Sequence, residues 1–363
     1  MSSSKSKFSL RDKLLPHLKH QDRIGWIGLG EMGYYMAANL QKYLTSRSLN
    51  MTVWNRTRAK ADKLHNSYGV RVADSIEDVV AQSNIIFTSL SNDQAVEEVY
   101  EHLIELSGQV DHEIIFCDTS TISPKLSTSI KERLAVYPQH KFLQCPVFGR
   151  PPAAKAARLI WITAGDQKAI EKLCLYFNTM SRQIIHLKTP NVGASSSFKL
   201  IGNFFIVGSM ELLAEGLTLA EKSDVSTDAL LKFIEVTFPS PVWTGYAKNM
   251  VEGQFGKEDG FSIDLGLKDV NHMRQLAQDS HTVLPTADLV HEHFTTLKEQ
   301  NKGHQDWSSL IDAVRAKSDL PETTQAATRE SLARMSLSDR SSDRGSDKSS
   351  DKSRPPSYIS ESR

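Results

Sequence analysis

The sequence predicts an α/β domain built on a doubly wound parallel sheet, followed by an all-α domain. Three observations predict it. Between Arg23 and about Pro190, short apolar runs alternate with helix-forming segments. The first of those runs leads through glycines at G-x-G-x-x-G spacing into a helix. From Asn191 onward every segment reads as helix, and the first of them is long and apolar. A chain of 363 residues is long for one core. The expected division is a leader over 1–22, a Rossmann-type domain over 23–190, an α-helical domain over 191–318 and a tail over 319–363.

Taken in order, Ile24, Trp26 and Ile27 form the apolar run of a buried strand ending near Gly28, and Tyr34 to Leu44 reads as a helix. Gly28 permits the tight turn, Gly30 has no side chain to block a phosphate, and Gly33 lets helix and strand pack closely. The helix N-terminus adds free N–H groups and a positive dipole end, so the unit is built for a dinucleotide pyrophosphate. Further strands are expected at Met51–Trp54, Asn84–Phe87, Glu113–Cys117, Lys141–Pro146, Leu159–Thr163 and Gln183–His186. With helices between most of them, they read as one parallel sheet covered on both faces.

Gly193 to Asp224 has few breakers and many Leu, Ile, Phe and Met, so other helices should bury it. Helices are also expected at Ser226–Glu235, Pro241–Val251, Leu265–Gln278, Leu284–Gln300 and Asp306–Ala316. Ser338 to Ser353 repeats Ser-Asp-Arg/Lys with almost no apolar residues. Such a segment cannot offset its ordering entropy by burial, so the tail is expected to be disordered and dispensable.

Composition narrows the function. Lys+Arg and Asp+Glu both total 43, which gives no electrostatic case for nucleic acid or an anionic membrane. The three cysteines lack metal-ligand spacing and are too few for a disulfide framework, so no metal site is expected and the thiols read as buried in a reducing compartment. No apolar stretch is expected to reach the length that spans a bilayer. The leader is Ser- and Lys-rich with Phe8, Leu10, Leu14, Leu15 and Leu18, but Asp12, Pro16 and scarce Arg speak against a presequence. A cytoplasmic location is expected, with a mitochondrial one as the alternative.

Five short motifs line up in order: Gly28-Leu-Gly-Glu-Met-Gly33, Asp118-Thr-Ser-Thr-Ile-Ser-Pro124, Cys145-Pro-Val-Phe-Gly149, Gly193-Ala-Ser-Ser-Ser-Phe-Lys-Leu-Ile-Gly-Asn203, and Lys268-Asp269. Over roughly residues 23–316 the chain resembles the β-hydroxyacid dehydrogenase family within the 6-phosphogluconate dehydrogenase superfamily. Its members include 3-hydroxyisobutyrate dehydrogenases and tartronate-semialdehyde and glyoxylate/succinic-semialdehyde reductases. The resemblance implies that Leu29 and Met32 of the first motif and Leu90 after the third strand help hold the cofactor. It implies that Ser120, with Thr121, binds the substrate and that Lys199 is catalytic with Asn203 beside it. It also implies that Lys268 reaches the nicotinamide end, with Asp306 in support.

The residues agree with those roles and leave alternatives. A hydroxyl and N–H groups at a helix N-terminus make an anion pocket around Ser120, but plain N-capping of the helix near Ser123 uses the same groups. Lys199 and Asn203 stand four residues apart, on one face of a helix. Lys199 lies among Phe198, Leu200, Ile201, Phe204 and Phe205, where burial lowers an ammonium pKa toward neutrality and makes it a proton donor. The alternative is a lysine that snorkels to solvent.

For the cofactor, the second strand ends at Asn55-Arg56-Thr57 rather than at the acidic residue that binds a ribose diol. Arg56 can hold a 2′-phosphate in a fork, with Asn55 and Thr57 adding hydrogen bonds, so NADP(H) is expected and NAD(H) is the alternative. The chain departs from the family at Phe148-Gly149-Arg150, where Ser-Gly-Gly is usual, and Ser195 replaces a glycine. Arg150 could take over carboxylate binding, or Phe148 could suit the pocket to a bulkier, less acidic carbonyl or an imine.

The expected function is hydride transfer between a nicotinamide and a small hydroxy acid, aldehyde or keto acid, with Lys199 as proton donor. An imine reductase and a non-catalytic cofactor-binding scaffold are the alternatives. The expected partners are a small-molecule substrate and further copies of the chain, as a homodimer or homotetramer through the helical domain.

Overall fold

The computed structural model describes residues 22–256 and 260–323. Nearly all of the leader, and the Ser-rich repeats of the tail, lie outside them. The first sheet is a six-stranded parallel sheet with strands in the order 3-2-1-4-5-6. Its strands are β1 (Ile24–Ile27), β2 (Thr52–Trp54), β3 (Arg71–Val72), β4 (Ile85–Thr88), β5 (Ile115–Asp118) and β6 (Lys141–Gln144). The order reverses beside β1, which pairs with both β2 and β4. That switch point opens a crevice at the carboxyl ends of the strands. The strands are short, the inner strands β1, β4 and β5 are buried on both faces, and Trp26 stacks on Phe87 at 5.3 Å.

Five helices follow these strands: α1 (Glu31–Thr45), α2 (Arg58–Tyr68), α3 (Ile76–Gln82), α4 (Asp93–Ser107) and α5 (Pro124–Leu134). Their starts follow local chemistry. Ser75 and Asp78 close a capping box on α3, and Ser123 caps α5 with Pro124 at its first turn.

The single parallel sheet expected through His186 is two sheets. β7 (Val147–Phe148), β8 (Leu159–Thr163) and β9 (Ser181–His186) form a separate three-stranded sheet in which β7 runs antiparallel to β8. The short helix α6 (Pro151–Lys155) links β7 to β8, and α7 (Gln167–Phe177) links β8 to β9. The cause is chain length. A parallel return needs a crossover of about a dozen residues, and only Cys145 and Pro146 separate β6 from β7. Gly149 then turns the chain at φ 138°, a conformation that suits only glycine well.

The helical domain is built on α8 (Gly193–Lys222), with α9 (Thr227–Thr237), α10 (Pro241–Glu252), α11 (Ile263–Asp279), α12 (Pro285–Glu299) and α13 (Leu310–Lys317) around it. The helix expected from Asp306 starts with a 3-10 turn, Trp307–Ser309, because Asp306 accepts from the Ser308 N–H and so acts as its cap. The expectation about membrane-length segments needs correction, since α8 is long and apolar enough to cross a bilayer, with a mean hydropathy of 1.4. Half of that window is buried by the protein, which makes α8 a core helix. Contacts with α13 also continue past Lys317. Thr323 donates its N–H and hydroxyl to Asp312, and Arg315 donates to the Pro321 carbonyl, so the chain through 323 packs on α13.

Candidate active site

The glycine turn between β1 and α1 gives each of its glycines a different surrounding. Gly28 has φ 96°, and a Cβ there would lie 2.3 Å from the Ser89 carbonyl oxygen. A Cβ on Gly33 would lie 2.3 Å from the Gly28 carbonyl oxygen, so helix and strand touch at that point. Around Gly30 nothing comes within 4 Å of a Cβ position, which leaves an open space at the N-terminus of α1. The Trp26 indole donates to the Gly28 carbonyl at 2.9 Å and fixes the turn, a contact with no signal in the sequence.

Some residues read as cofactor contacts are used inside the protein. Leu29 is buried, and its N–H donates to Asn55 Oδ1 at 2.8 Å. Asn55 gives its amide to the Thr57 carbonyl at 2.9 Å. Asn55 therefore holds the turn with one donor and one acceptor site, and Leu29 is anchored through its backbone. Met32, on the first turn of α1, is partly buried, and Leu90 is half-buried beside Gly28. Arg56 is exposed, and its neighbour Arg58 is engaged by Asp74 and Asp62.

The second half of the site forms where β5, β6, α8 and α11 meet. Lys199 is only 8% exposed. Its Nζ donates to Asn203 Oδ1 at 3.1 Å and sits 4.0 Å from the centre of the Phe148 ring. Burial pushes this ammonium down to about 8, Asp269 opposes the shift and Lys268 adds to it. Asn203 Nδ2 donates to Asp269 Oδ2 at 2.7 Å, so both ends of the amide are engaged and Asn203 orients the lysine. Lys268 Nζ lies 3.0 Å from Asp269 Oδ1 and donates to the Thr121 carbonyl at 2.7 Å. A continuous chain Lys199–Asn203–Asp269–Lys268–Thr121 thus joins α8 and α11 to the loop after β5.

Ser120 is reached from the other side. Its hydroxyl donates to Asp118 Oδ1 at 2.7 Å and accepts from the Leu90 N–H at 2.9 Å. Asp118 also accepts from Thr88 Oγ1 at 2.6 Å, and burial raises its pKa to about 6. The capping of α5 is done by Ser123, which separates it from Ser120. Gln144 donates to the Ser120 carbonyl at 2.9 Å, and Ser195 donates to the Gln144 carbonyl at 2.7 Å. Ser195, which stands where the family has glycine, therefore ties α8 to β6.

Phe148, Gly149 and Arg150 form the departing loop. The Phe148 ring occupies the space over Gly202, where a Cβ would meet ring carbon at 2.3 Å, and it meets Phe198 edge-on at 6.4 Å. Arg150 is bonded to Asp306 and lies over the Tyr246 ring at 5.7 Å. Asp306 is buried and also accepts from the Phe261 N–H at 3.0 Å. Asp118 and Asp269 are the working residues that the sequence reading did not single out. The signal for Asp269 was its place in the Lys268-Asp269 motif, and Asp118 opened the second motif.

Comparison with known proteins places this geometry. The family model for the NAD binding domain of 6-phosphogluconate dehydrogenase matches residues 23–188. The family model for the NAD-binding of NADP-dependent 3-hydroxyisobutyrate dehydrogenase matches residues 193–314. The chain is 32% identical over 296 residues to the uncharacterized oxidoreductase YfjR of Bacillus subtilis, covering 81% of this chain and 100% of that one. It is 28% identical over 295 residues to the NADH-dependent oxidoreductase ucdB of Aspergillus ustus, covering 81% and 99%. The structure of 3-hydroxyisobutyrate dehydrogenase from Mycobacterium tuberculosis superposes with a TM-score of 0.69 at 23% identity, over 81% of this chain and 99% of that one, and shares the fold.

Proposed function

The chain belongs to the β-hydroxyacid dehydrogenase family, and from that premise we propose that it is an NADP(H)-dependent reductase of a small carbonyl compound, reversible as a hydroxyacid dehydrogenase, with Lys199 as its proton donor. One observation carries the reading: a buried lysine, pushed down to about 8, is held by Asn203 against the Phe148 ring on the helix beside the cofactor domain. Such an ammonium gives up a proton near neutral pH.

The residues fit a dinucleotide. The open space at Gly30, the tight turn at Gly28 and the first-turn N–H groups of α1 suit a pyrophosphate. When bound, the nicotinamide supplies or accepts the hydride. Lys199 moves a proton from Nζ to the carbonyl oxygen and offsets the negative charge that develops there. Asn203 fixes the direction of Nζ through Oδ1, and Asp269 fixes Asn203. Lys268, held by Asp269 and the Thr121 carbonyl, closes the side of the site formed by the loop after β5. Ser120 sets that loop against Leu90 and Asp118.

One relative is named NADH-dependent and one matching family model NADP-dependent, so the cofactor choice rests on residue 56 rather than on kinship. Arg56 stands exposed at the end of β2, where an acidic residue would repel a 2′-phosphate. Arg56→Ala is expected to weaken NADPH binding at least about tenfold and to leave NADH nearly unchanged, because only NADPH carries the phosphate. Titration of both cofactors checks this, and equal weakening would show that Arg56 does not meet that group. The same reading includes self-association through α8 as a homodimer or homotetramer.

A further inference from the structure

We propose that a second copy of the chain completes this site: two α8 helices lie side by side and antiparallel, and the C-terminal half of one forms the outer wall beside Lys199 of the other. This rests on the reductase reading above and on the self-association stated with it. The first observation is a stripe along α8. Phe198, Phe205, Leu212 and Leu219 stand seven residues apart, with Ile201 between the first two, and all five are exposed. At about 100° per residue they fall within roughly 60° of one another, over about 33 Å of helix. A repeat of seven keeps one seam turned toward one long neighbour, as two aligned helices require.

The pattern also selects the neighbour. An interface between two copies related by a twofold axis must match itself when reversed. The stripe does so about Gly208: Phe205 and Leu212 lie three and four residues to either side, and Phe198 and Leu219 ten and eleven. Gly208 leaves room for close approach at that centre, since a Cβ there would meet only a Thr286 methyl, at 3.6 Å. At roughly 200 Å² for a large side chain, the exposed parts of the five residues leave on the order of 500 Å² bare on this one helix. That is more than half of the roughly 800 Å² each partner gives to a standard interface. A parallel pair would bring two cofactor domains to the same end, because α5, β6 and β8 all pack on α8.

The second observation ties the stripe to the site. Its first residue, Phe198, precedes Lys199 and meets the Phe148 ring edge-on at 6.4 Å. The centre of that ring lies 4.0 Å from Lys199 Nζ. Phe198 is nevertheless 36% exposed, and Ile201, one turn on, 50%. The wall beside the lysine is thus packed on its inner face and bare on its outer one. Antiparallel pairing lays the partner subunit's Leu219 over Phe198. That cover holds the Phe148–Phe198 pair in place and keeps water from the carbonyl being reduced. The glycine turn and Arg56 lie in the first domain, so cofactor binding does not depend on it.

Two measurements test this. The first needs no activity. Phe198→Cys and Leu219→Cys chains carrying different tags are co-expressed and treated with a short bismaleimide that spans the roughly 8–10 Å between packed helices. Links between the two variants are expected. Links confined to chains of one variant, or none, overturn the proposal. Each variant alone controls for Cys174, and Cys117 and Cys145 are buried. The second measurement follows kcat/KM for NADPH-dependent reduction of 4-oxobutanoate and butanal while wild-type protein is diluted until sedimentation gives single chains. A fall of at least about tenfold per chain is expected, with NADPH binding unchanged by nicotinamide fluorescence. Leu212→Glu, about 20 Å along α8 from Lys199, should show the same loss without dilution. Single chains with the kcat/KM of the assembly overturn the proposal. If the assembled wild type binds NADPH and reduces neither aldehyde, the reductase reading falls, and the cross-link alone decides whether a second copy covers Phe198.

Discussion

At the scale of residues, the proposed chemistry depends on one lysine in a place that costs energy to occupy. Lys199 is buried, hydrogen-bonded to a neutral amide and stacked on an aromatic ring, with Asp269 beyond the amide. Lys199→Ala is expected to leave NADPH binding nearly intact and to cut turnover at least about a hundredfold, the usual scale for loss of a general acid. Single-turnover kinetics beside a binding titration check this, and near-normal turnover would remove Lys199 from the chemistry. The pH dependence has a definite sign. Reduction requires the ammonium, so its rate should fall as pH rises through about 8, and alcohol oxidation requires the free amine and should rise through the same value. Asp269→Asn removes the charge that opposes the shift, so both profiles should move to lower pH. Profiles that stay in place would show that Asp269 does not act on the lysine. Lys199 and Asn203 were singled out by their match to the family motif, and four residues on a helix put them on one face. Their link to Asp269, 66 residues beyond Asn203, was not legible, since no local rule couples two helices.

At the scale of elements, the turn between β1 and α1 has one glycine facing open space and one packed on backbone. A Cβ on Gly30 meets nothing in the protein, whereas one on Gly33 meets backbone at 2.3 Å. Gly30→Ala should therefore melt at the wild-type temperature in the absence of cofactor and bind NADPH at least about tenfold more weakly. Gly33→Ala should destabilise the protein by about 2 kcal/mol or more, because backbone cannot yield as a flexible side chain does. Thermal melts with and without NADPH distinguish the two. Equal behaviour of both variants would contradict the division of roles. The strand and helix that flank the turn were readable because apolar run and glycine spacing report the same local geometry. The second sheet was not readable as such. β7 is two residues long, and its antiparallel pairing with β8 depends on the length of the connection after β6.

At the scale of the whole molecule, α8 buries one side and leaves another bare. Phe205, Leu212 and Leu219 are 69%, 59% and 66% exposed, and spacings of seven residues put them on one stripe. Phe233 and Val236 on the next helix, α9, are exposed as well. Bare apolar surface of this extent on a domain's longest helix is what an interface leaves when a chain is considered alone. Sedimentation at micromolar concentration is expected to give at least twice the 40.6 kDa of one chain. Leu212→Glu should lower that mass, by placing a charge in the stripe. A wild-type mass near one chain would defeat the prediction. Within one chain, the two domains are tied by Arg150 to Asp306, His272 to Asp93 at 2.9 Å, and Lys125 to Asp279 at 2.8 Å. Arg150→Ala would leave Asp306 buried without its cation and should cost about 3 kcal/mol of stability in a denaturant titration.

The sequence by itself determined the two-part architecture and the strand, glycine turn and helix at its start, which are written in short-range periodicity and spacing that the backbone converts directly into local geometry. Lys199 and Asn203 were singled out by the motif they share with the family, and their spacing placed them on one helix face. Only the tertiary structure decided how the remaining polar groups are used. Asn55 could be read as a hydrogen-bonding partner of a 2′-phosphate and Arg150 as a carboxylate receptor, but folding brings Leu29 to the first and Asp306, 156 residues away, to the second. A side chain's hydrogen-bonding capacity is set by residue type, whereas the partner that consumes it is set by which elements the core brings together.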